Sequence, residues 1–233
     1  MTEPAYPMRI NKYLAHKGIS TRKDADLLIE KGSVTVNGKR AVLGQKVSES
    51  DIVEVKRKHR TYRYFAYNKP EGVITHSPQL GEKDIAAATS LSGVFPVGRL
   101  DKRSRGLIIL TDDARITDKL LNPDYVHDKE YRIRTRGPLP ENFRQRMEGG
   151  VNIEGYKTKP ARVDIKGEKE FYITLTEGKK HQIRRMCAAL AVDIEDLQRV
   201  RIMNVRLGTL KAGEHRAIAG SERAEFLKAL GLS

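Results

Sequence analysis

Val97-Gly-Arg-Leu-Asp-Lys-Arg-Ser-Arg-Gly-Leu-Ile-Ile-Leu-Thr111 joins a charged loop to an apolar run, and that junction decides the fold. In the loop half, Asp101 stands among Arg99, Lys102, Arg103 and Arg105. The other half, Gly106-Leu-Ile-Ile-Leu-Thr111, is unbroken and of strand length, which predicts a central strand covered on both faces. Working outward, Phe65-Ala-Tyr-Asn-Lys-Pro-Glu-Gly72 reads as a strand running into a Pro/Gly turn. Tyr131, Ile133 and Thr135 alternate with Arg132, Arg134 and Arg136, the two-residue period of a strand with one basic face. Phe171-Tyr-Ile-Thr-Leu-Thr176 is a further strand. Ile183, Met186, Cys187 and Leu190 then recur at i, i+3, i+4 and i+7, the stripe of an amphipathic helix. Strands interleaved with short helices predict an α+β domain built on a substantial sheet.

Before residue 60 the pattern is different. Ile10, Tyr13, Leu14 and Lys17 follow helical spacing, with Gly18 as the stop. Thr21 caps a second helix, with Asp24 three residues on in capping-box register and Ala25, Leu28 and Ile29 on its apolar face. Gly32 ends that helix. Two β-prone runs follow around Asn37-Gly38, a dipeptide that suits a type I′ hairpin turn, and Ile52-Val-Glu-Val55 closes the unit as a strand. Arg9, Lys12, Lys17, Arg22, Lys23, Lys39 and Arg40 crowd this short segment. Any one of them is an ordinary solvated charge, but their concentration on two helices and a turn matches what binding several phosphates requires. Lys56-Arg-Lys-His-Arg-Thr-Tyr-Arg63 reads as a charged linker. The expected division is therefore residues 1–60 and residues 61–233.

The 233 residues carry a formal net charge of +14, a surface field that favours a polyanion. An anionic membrane fits less well than nucleic acid, since no apolar run approaches the roughly 20 residues of a spanning helix. Met1-Thr-Glu-Pro-Ala-Tyr-Pro7 lacks the pattern of a secretory signal, so a cytoplasmic protein is expected. Cys187 is the single cysteine, which excludes an internal disulfide and a cysteine-cluster metal site, and the six histidines show no ligand spacing.

Three places are candidates for chemistry. Asp101 lies at a strand entrance in a positive field that favours its ionised form, although a lone Asp there is more often a surface charge. Gly178-Lys-Lys-His-Gln-Ile-Arg-Arg-Met186 joins a strand to the amphipathic helix. There Arg184 adjoins the buried stripe, where an arginine usually needs a carboxylate, while His181 and Gln182 suit capping or phosphate contact. Arg185, about 100° further round the helix, is expected to face RNA or solvent. Tyr131 is ordinary core packing unless its ring lines a cleft that admits a base.

Two resemblances follow from these motifs. Arg9-Ile-Asn-Lys-Tyr-Leu14, Gly18-Ile-Ser-Thr-Arg22, Ala25, Ile29, Gly32 and Val34-Thr-Val-Asn-Gly38 resemble the S4 RNA-binding domain over roughly residues 8–55. Asn68-Lys-Pro-Glu-Gly72, the 97–107 segment, Lys129-Glu-Tyr131 and the 178–186 segment occur in the order seen in pseudouridine synthases. Together they resemble the S4-bearing ribosomal RNA branch, the RsuA, RluB, RluE and RluF enzymes. Arg184-Arg-Met-Cys187 and Arg199-Val-Arg-Ile-Met-Asn-Val205 are most similar to the RluF type. The match departs at Leu110-Thr-Asp-Asp-Ala-Arg115, where the family commonly has Gly after an Asn or Asp turn.

The resemblance implies a small S4 domain followed by a mixed, mainly antiparallel catalytic domain. It implies Asp101 as the catalytic aspartate, Arg184 as its ion-pair partner and Tyr131 as the ring beside the target base. Ile183, Leu100 and Arg99 would complete the substrate pocket. Arg9, Lys12, Arg22, Lys23, Lys39, Arg40, Arg132, Arg134 and Arg185 are the expected RNA contacts. The implied partner is structured ribosomal RNA, 23S first, with 16S ribosomal RNA, a tRNA or an assembly intermediate as alternatives, acted on by a monomer. A catalytically idle assembly factor is the rival reading. Because uridine and pseudouridine are isomers, no metal, nucleotide or redox cofactor is expected.

Overall fold

The computed structural model describes residues 5–56 and 61–232, so residues 57–60 of the expected linker lie outside the described residues. In the N-terminal unit, helices Ile10–His16 and Arg22–Glu30 bury Ile10, Leu14, Ala25 and Ile29 against Val34, Val36 and Val47. The Thr21 hydroxyl accepts the Asp24 N–H at 3.1 Å, the expected cap. Strand Val34–Val36 is flanked by Lys39–Arg40 and Val53–Val55. Asn37 and Gly38 both take positive φ, +50° and +76°, as a type I′ turn requires.

The second unit is built on one twisted sheet. Its strands run, edge to edge, Arg162–Gly167, Glu170–Leu175, Lys129–Thr135, Ile194–Ile202, Arg105–Thr111, Tyr64–Lys69 and His215–Ala217. Phe95–Val97 pairs additionally with Arg105–Thr111, and Val205–Arg206 with Ile194–Ile202. Along the Arg105–Thr111 strand, Leu107 and Ile109 pack to one side with helices Arg115–Leu121 and Gly220–Ala229. Ile108 and Leu110 pack to the other with Tyr67 and Ile85. This is the doubly covered central strand expected from the unbroken apolar run. Toward the other edge, Ile133, Phe171 and Ile173 form a separate core with Ile183, Met186 and Cys187 of helix Gln182–Ala189. Burial pushes the Cys187 thiol up to about 12, which leaves it unreactive at neutral pH.

The two halves of the sheet meet in its one parallel pairing among the described residues, where Gln198 faces Arg105 and Arg199 faces Gly106. Gly106 holds φ +108°, and a Cβ there would overlap the Arg199 carbonyl and lie 2.7 Å from the Arg199 nitrogen. Only glycine fits.

The units touch through Arg115, in the segment where the family resemblance departs. Its guanidinium grips the fully buried Asp113 with two bonds of 2.8 Å and donates to the Gly18 carbonyl at 3.2 Å. Tyr64 donates its hydroxyl to the same carboxylate. Burial pushes Asp113 up, but these bonds outweigh it and hold the carboxyl below its ordinary range. Arg115 also lies 4.4 Å from the centre of the Tyr62 ring, a cation–π arrangement.

The Gly106 junction is directly testable. Gly106→Ala combines a positive-φ penalty with overpacking and should cost about 3–5 kcal/mol in urea unfolding. Gly137→Ala, with open space around its Cβ, should stay within about 0.5 kcal/mol of the parent. Equal stability of the two variants would show that the strands part easily at this point.

Candidate active site

The two-residue strand period puts Lys129, Tyr131 and Ile133 on one face, with Arg132 and Arg134 on the other. Tyr131 stands opposite Ile173 on one neighbouring strand and Arg199 on the other. Lys129, Tyr131, Leu175, Leu197 and Arg199 thereby form the floor of a cleft of about 440 Å³. Arg99, Leu100, Asp101 and Ser104 wall one side, and residues 177–184 the other. The structure thus brings Asp101, Tyr131, Arg184, Ile183, Leu100 and Arg99 into one cleft, from segments far apart in the chain.

The loop carrying Asp101 is pinned along its backbone. Five successive carbonyls each accept a hydrogen bond: Arg99 from Arg199 Nη1 at 3.4 Å, Leu100 from the Thr75 hydroxyl at 2.9 Å and Asp101 from the Ser104 N–H at 2.9 Å. Lys102 accepts from the Gly72 N–H at 2.8 Å, and Arg103 from Arg184 Nη2 at 2.7 Å. Thr75 also accepts the Leu100 N–H at 3.0 Å, clamping that residue on both sides. Leu100 itself is buried, which seats the loop from below. A side chain on so constrained a backbone has little orientational freedom left to lose.

Several side chains differ from expectation. Asp101 and Arg184 do not form an ion pair. Asp101 instead has His181 beside it, with Nε2 3.4 Å from Oδ1, and Arg184 ties down the Arg103 carbonyl. His181 accordingly does not cap the helix with its side chain. Arg185 is half-buried and turned toward the neighbouring hairpin: its Nη2 reaches Glu154 at 2.8 Å and the Ile153 carbonyl at 3.1 Å. Arg132 is committed to a two-pronged pair with Glu170 at 3.0 and 2.8 Å, so Arg134 is the exposed cation of that row without an ion pair. Arg40 donates to the Glu30 carbonyl, closing the second helix. Arg9, Lys12, Arg22, Lys23 and Lys39 are exposed, and none makes an ion pair among the described residues.

Four site residues had no role assigned from sequence: Lys69, Thr75, Glu177 and Arg199. Lys69 and Arg199 fall in quoted motifs, but nothing local signals where their side chains go. Lys69 is fully buried, with Nζ on the Pro70 and Val73 carbonyls. Burial pushes its pKa down to about 8, while the charge of Asp101 pulls it back up. Glu177 is a second carboxylate in the cleft wall, but it accepts from Tyr156 at 2.6 Å, the Lys159 N–H at 3.0 Å and Gln182 at 2.7 Å. Burial pushes Glu177 up, yet those three bonds outweigh it and keep the group ionised.

The coupling of Asp101 to Lys69 gives a measurable signature. Asp101→Asn removes the charge that raises the ammonium pKa, so the Lys69 titration, followed by NMR of its ε-carbon, should move below about 8. An unchanged midpoint would show that the two groups do not sense each other.

A family model described as RNA pseudouridylate synthase matches residues 63–189, and the S4 domain model matches residues 8–53. The chain is 38% identical to the dual-specificity RNA pseudouridine synthase RluF of Escherichia coli strain K12, over 97% of this chain and 80% of that protein. It is 33% identical to the ribosomal large subunit pseudouridine synthase B of Bacillus subtilis strain 168, over 92% and 93% of the respective chains. A solved pseudouridylate synthase superposes with a TM-score of 0.69 at 27% identity, covering 95% of this chain and 99% of the other. The chain belongs to the RNA pseudouridylate synthase family, in the branch whose members carry an N-terminal S4 domain.

Proposed function

We propose that this enzyme isomerises a specific uridine in structured ribosomal RNA, 23S in the first place, with Asp101 as the reacting carboxylate. The supporting observation is the cleft itself. Of its two carboxylates, Glu177 is saturated by three donors, whereas Asp101 is partly exposed on a pinned loop beside Tyr131. A volume of about 440 Å³ falls within the range usual for small-ligand sites, so one flipped nucleoside can enter.

Breaking the C1′–N1 bond builds positive charge on the sugar. Asp101 either attacks C1′ or removes a proton from the sugar. Tyr131 holds the detached uracil by stacking, worth roughly 1–3 kcal/mol, until C5 turns toward C1′. Arg184 acts as a positioning residue through the Arg103 carbonyl, in place of a direct ion pair. Extruding the base costs a few kcal/mol. Arg9, Lys12, Arg22, Lys23 and Lys39 on the N-terminal unit of residues 1–60, together with Arg134 of the catalytic unit of residues 61–233, supply the grip on phosphate that offsets it.

The Bacillus subtilis relative is named for the large ribosomal subunit, which favours 23S ribosomal RNA. The Escherichia coli relative is named dual-specificity, which favours a second RNA substrate, 16S ribosomal RNA or a tRNA. A base-releasing glycosidase would need a second carboxyl group kept protonated as an acid, and Glu177 is held ionised. An idle assembly factor would have no use for a carboxylate so closely constrained.

Single-turnover assays on a ribosomal RNA stem-loop test the assignment. Asp101→Asn should reduce pseudouridine formation to background while RNA affinity stays within about twofold, because the substitution keeps shape and removes only charge. Arg184→Lys keeps the charge but loses the planar fork that holds Arg103, and should slow the reaction by about 100-fold. Substantial turnover by purified Asp101→Asn, free of host enzyme, would refute Asp101 as the reacting group.

A further inference from the structure

Arg199 and Lys129 both line the cleft floor, on neighbouring strands with Tyr131 opposite Arg199 and Lys129 opposite Ile202, and neither has a carboxylate within ion-pair reach among the described residues. Arg199 is 3% exposed. Its Nε donates to the Leu107 carbonyl at 2.7 Å and its Nη1 to the Arg99 carbonyl, while Nη2 is buried without any hydrogen-bond partner. Lys129 is half-buried and makes one long bond, 3.3 Å, to the His127 carbonyl. Burial first, and then the charge of Arg199, push the Lys129 pKa down, while Asp128, outside ion-pair distance, pulls it partly back, so the two cations sense each other. Buried cations are normally paired, and a buried donor without a partner calls for an explanation. Here the neighbouring strands give Arg201 a carboxylate, Glu130 at 3.1 Å, and Arg105 another, Asp196 at 2.7 Å. The two cations beneath the cleft have none.

We propose that Arg199 and Lys129 form an anion site beneath the target base that stabilises the uracil anion released when the glycosidic bond breaks. The inference rests on the isomerase reading above and adds to it the group that receives the negative charge. When C1′–N1 breaks, both bonding electrons stay with the uracil and spread over N1, O2 and O4. The same anion forms whether Asp101 attacks C1′ or takes a sugar proton. Its charge is withdrawn when C5 bonds to C1′ and the C5 proton passes to N1, so no further reactant enters. A phosphate is the poorer fit, because it stays with the RNA strand at the cleft mouth, where Arg99 and Lys180 are exposed. Donors placed where charge develops act most strongly in such a water-poor site.

The test compares leaving groups. 5-Fluorouracil carries negative charge better than uracil, so it depends less on stabilising cations. Stem-loops bearing uridine or 5-fluorouridine at the target position are followed in single turnover by loss of the starting nucleoside after nuclease digestion, since the fluorinated product cannot release a C5 proton. Arg199→Gln and Lys129→Gln should each slow uridine loss by about 100-fold and 5-fluorouridine loss by less than about 10-fold, at unchanged RNA affinity. Arg199→Lys should recover part of the rate. Equal slowing on both substrates would assign these residues a purely structural role and overturn the proposal, as would native rates in both glutamine variants. Should Arg199→Gln not fold, Lys129→Gln decides alone, because it gives up one long hydrogen bond. A native protein that forms no pseudouridine would instead overturn the isomerase reading, and this proposal with it.

Discussion

Two backbones approach at Gly106 more closely than any side chain allows. That contact joins a strand entering from the Asp101 loop to the strand that carries Arg199, in the one parallel pairing of the sheet among the described residues. From it the rest of the site follows. With the backbones in contact, the Arg199 side chain reaches the carbonyls of Leu107 and Arg99, on either side of the glycine. The Asp101 loop is thereby fastened to the sheet floor, and Tyr131, opposite Arg199 on the next strand, is set beneath it.

The cleft spends its charges unevenly. Glu177 is consumed by internal donors and serves to organise the wall, linking Tyr156 to the first turn of helix Gln182–Ala189. Asp101 remains, with His181 Nε2 3.4 Å from its Oδ1 and Lys69 sensing it through space. A surplus of positive charge around the cleft attracts a polyanionic strand to its mouth. That surplus follows from one arrangement of buried lysine and arginine on a sheet face.

Features governed by neighbours in sequence were legible before any coordinates. The Thr21 cap, the Asn37-Gly38 turn and the apolar run after Gly106 each depend on a few adjacent residues and the local backbone, and each is where the pattern puts it. The motif resemblance likewise gathered Asp101, Tyr131 and Arg184 into one cleft. Long side chains were not legible in the same way. Arg132, Arg184 and Arg185 look alike in sequence, yet one ends on Glu170, one on a backbone carbonyl and one on Glu154. An extended arginine spans several ångströms, so its partner is chosen by packing among segments tens of residues away. Lys69 and Arg199 were missed for the same reason: burial of a cation is a property of the assembled sheet, and composition favours solvent for both.

Arg115 belongs to two structures at once. It neutralises a carboxylate inside the catalytic unit, and it holds the Gly18 carbonyl at the end of the first helix of the N-terminal unit. Selection therefore cannot tune the seam between the units without disturbing a core. A substitution at Arg115 strands Asp113 without its counter-charge, so it would surface in a genetic screen as a folding defect. Any contribution of the seam to RNA selection would stay hidden behind it. Gly18 offers no easier route: it holds φ +66°, and a Cβ there would lie 2.8 Å from Leu232 of the catalytic unit, so a side chain at that position is strained and presses the two units apart.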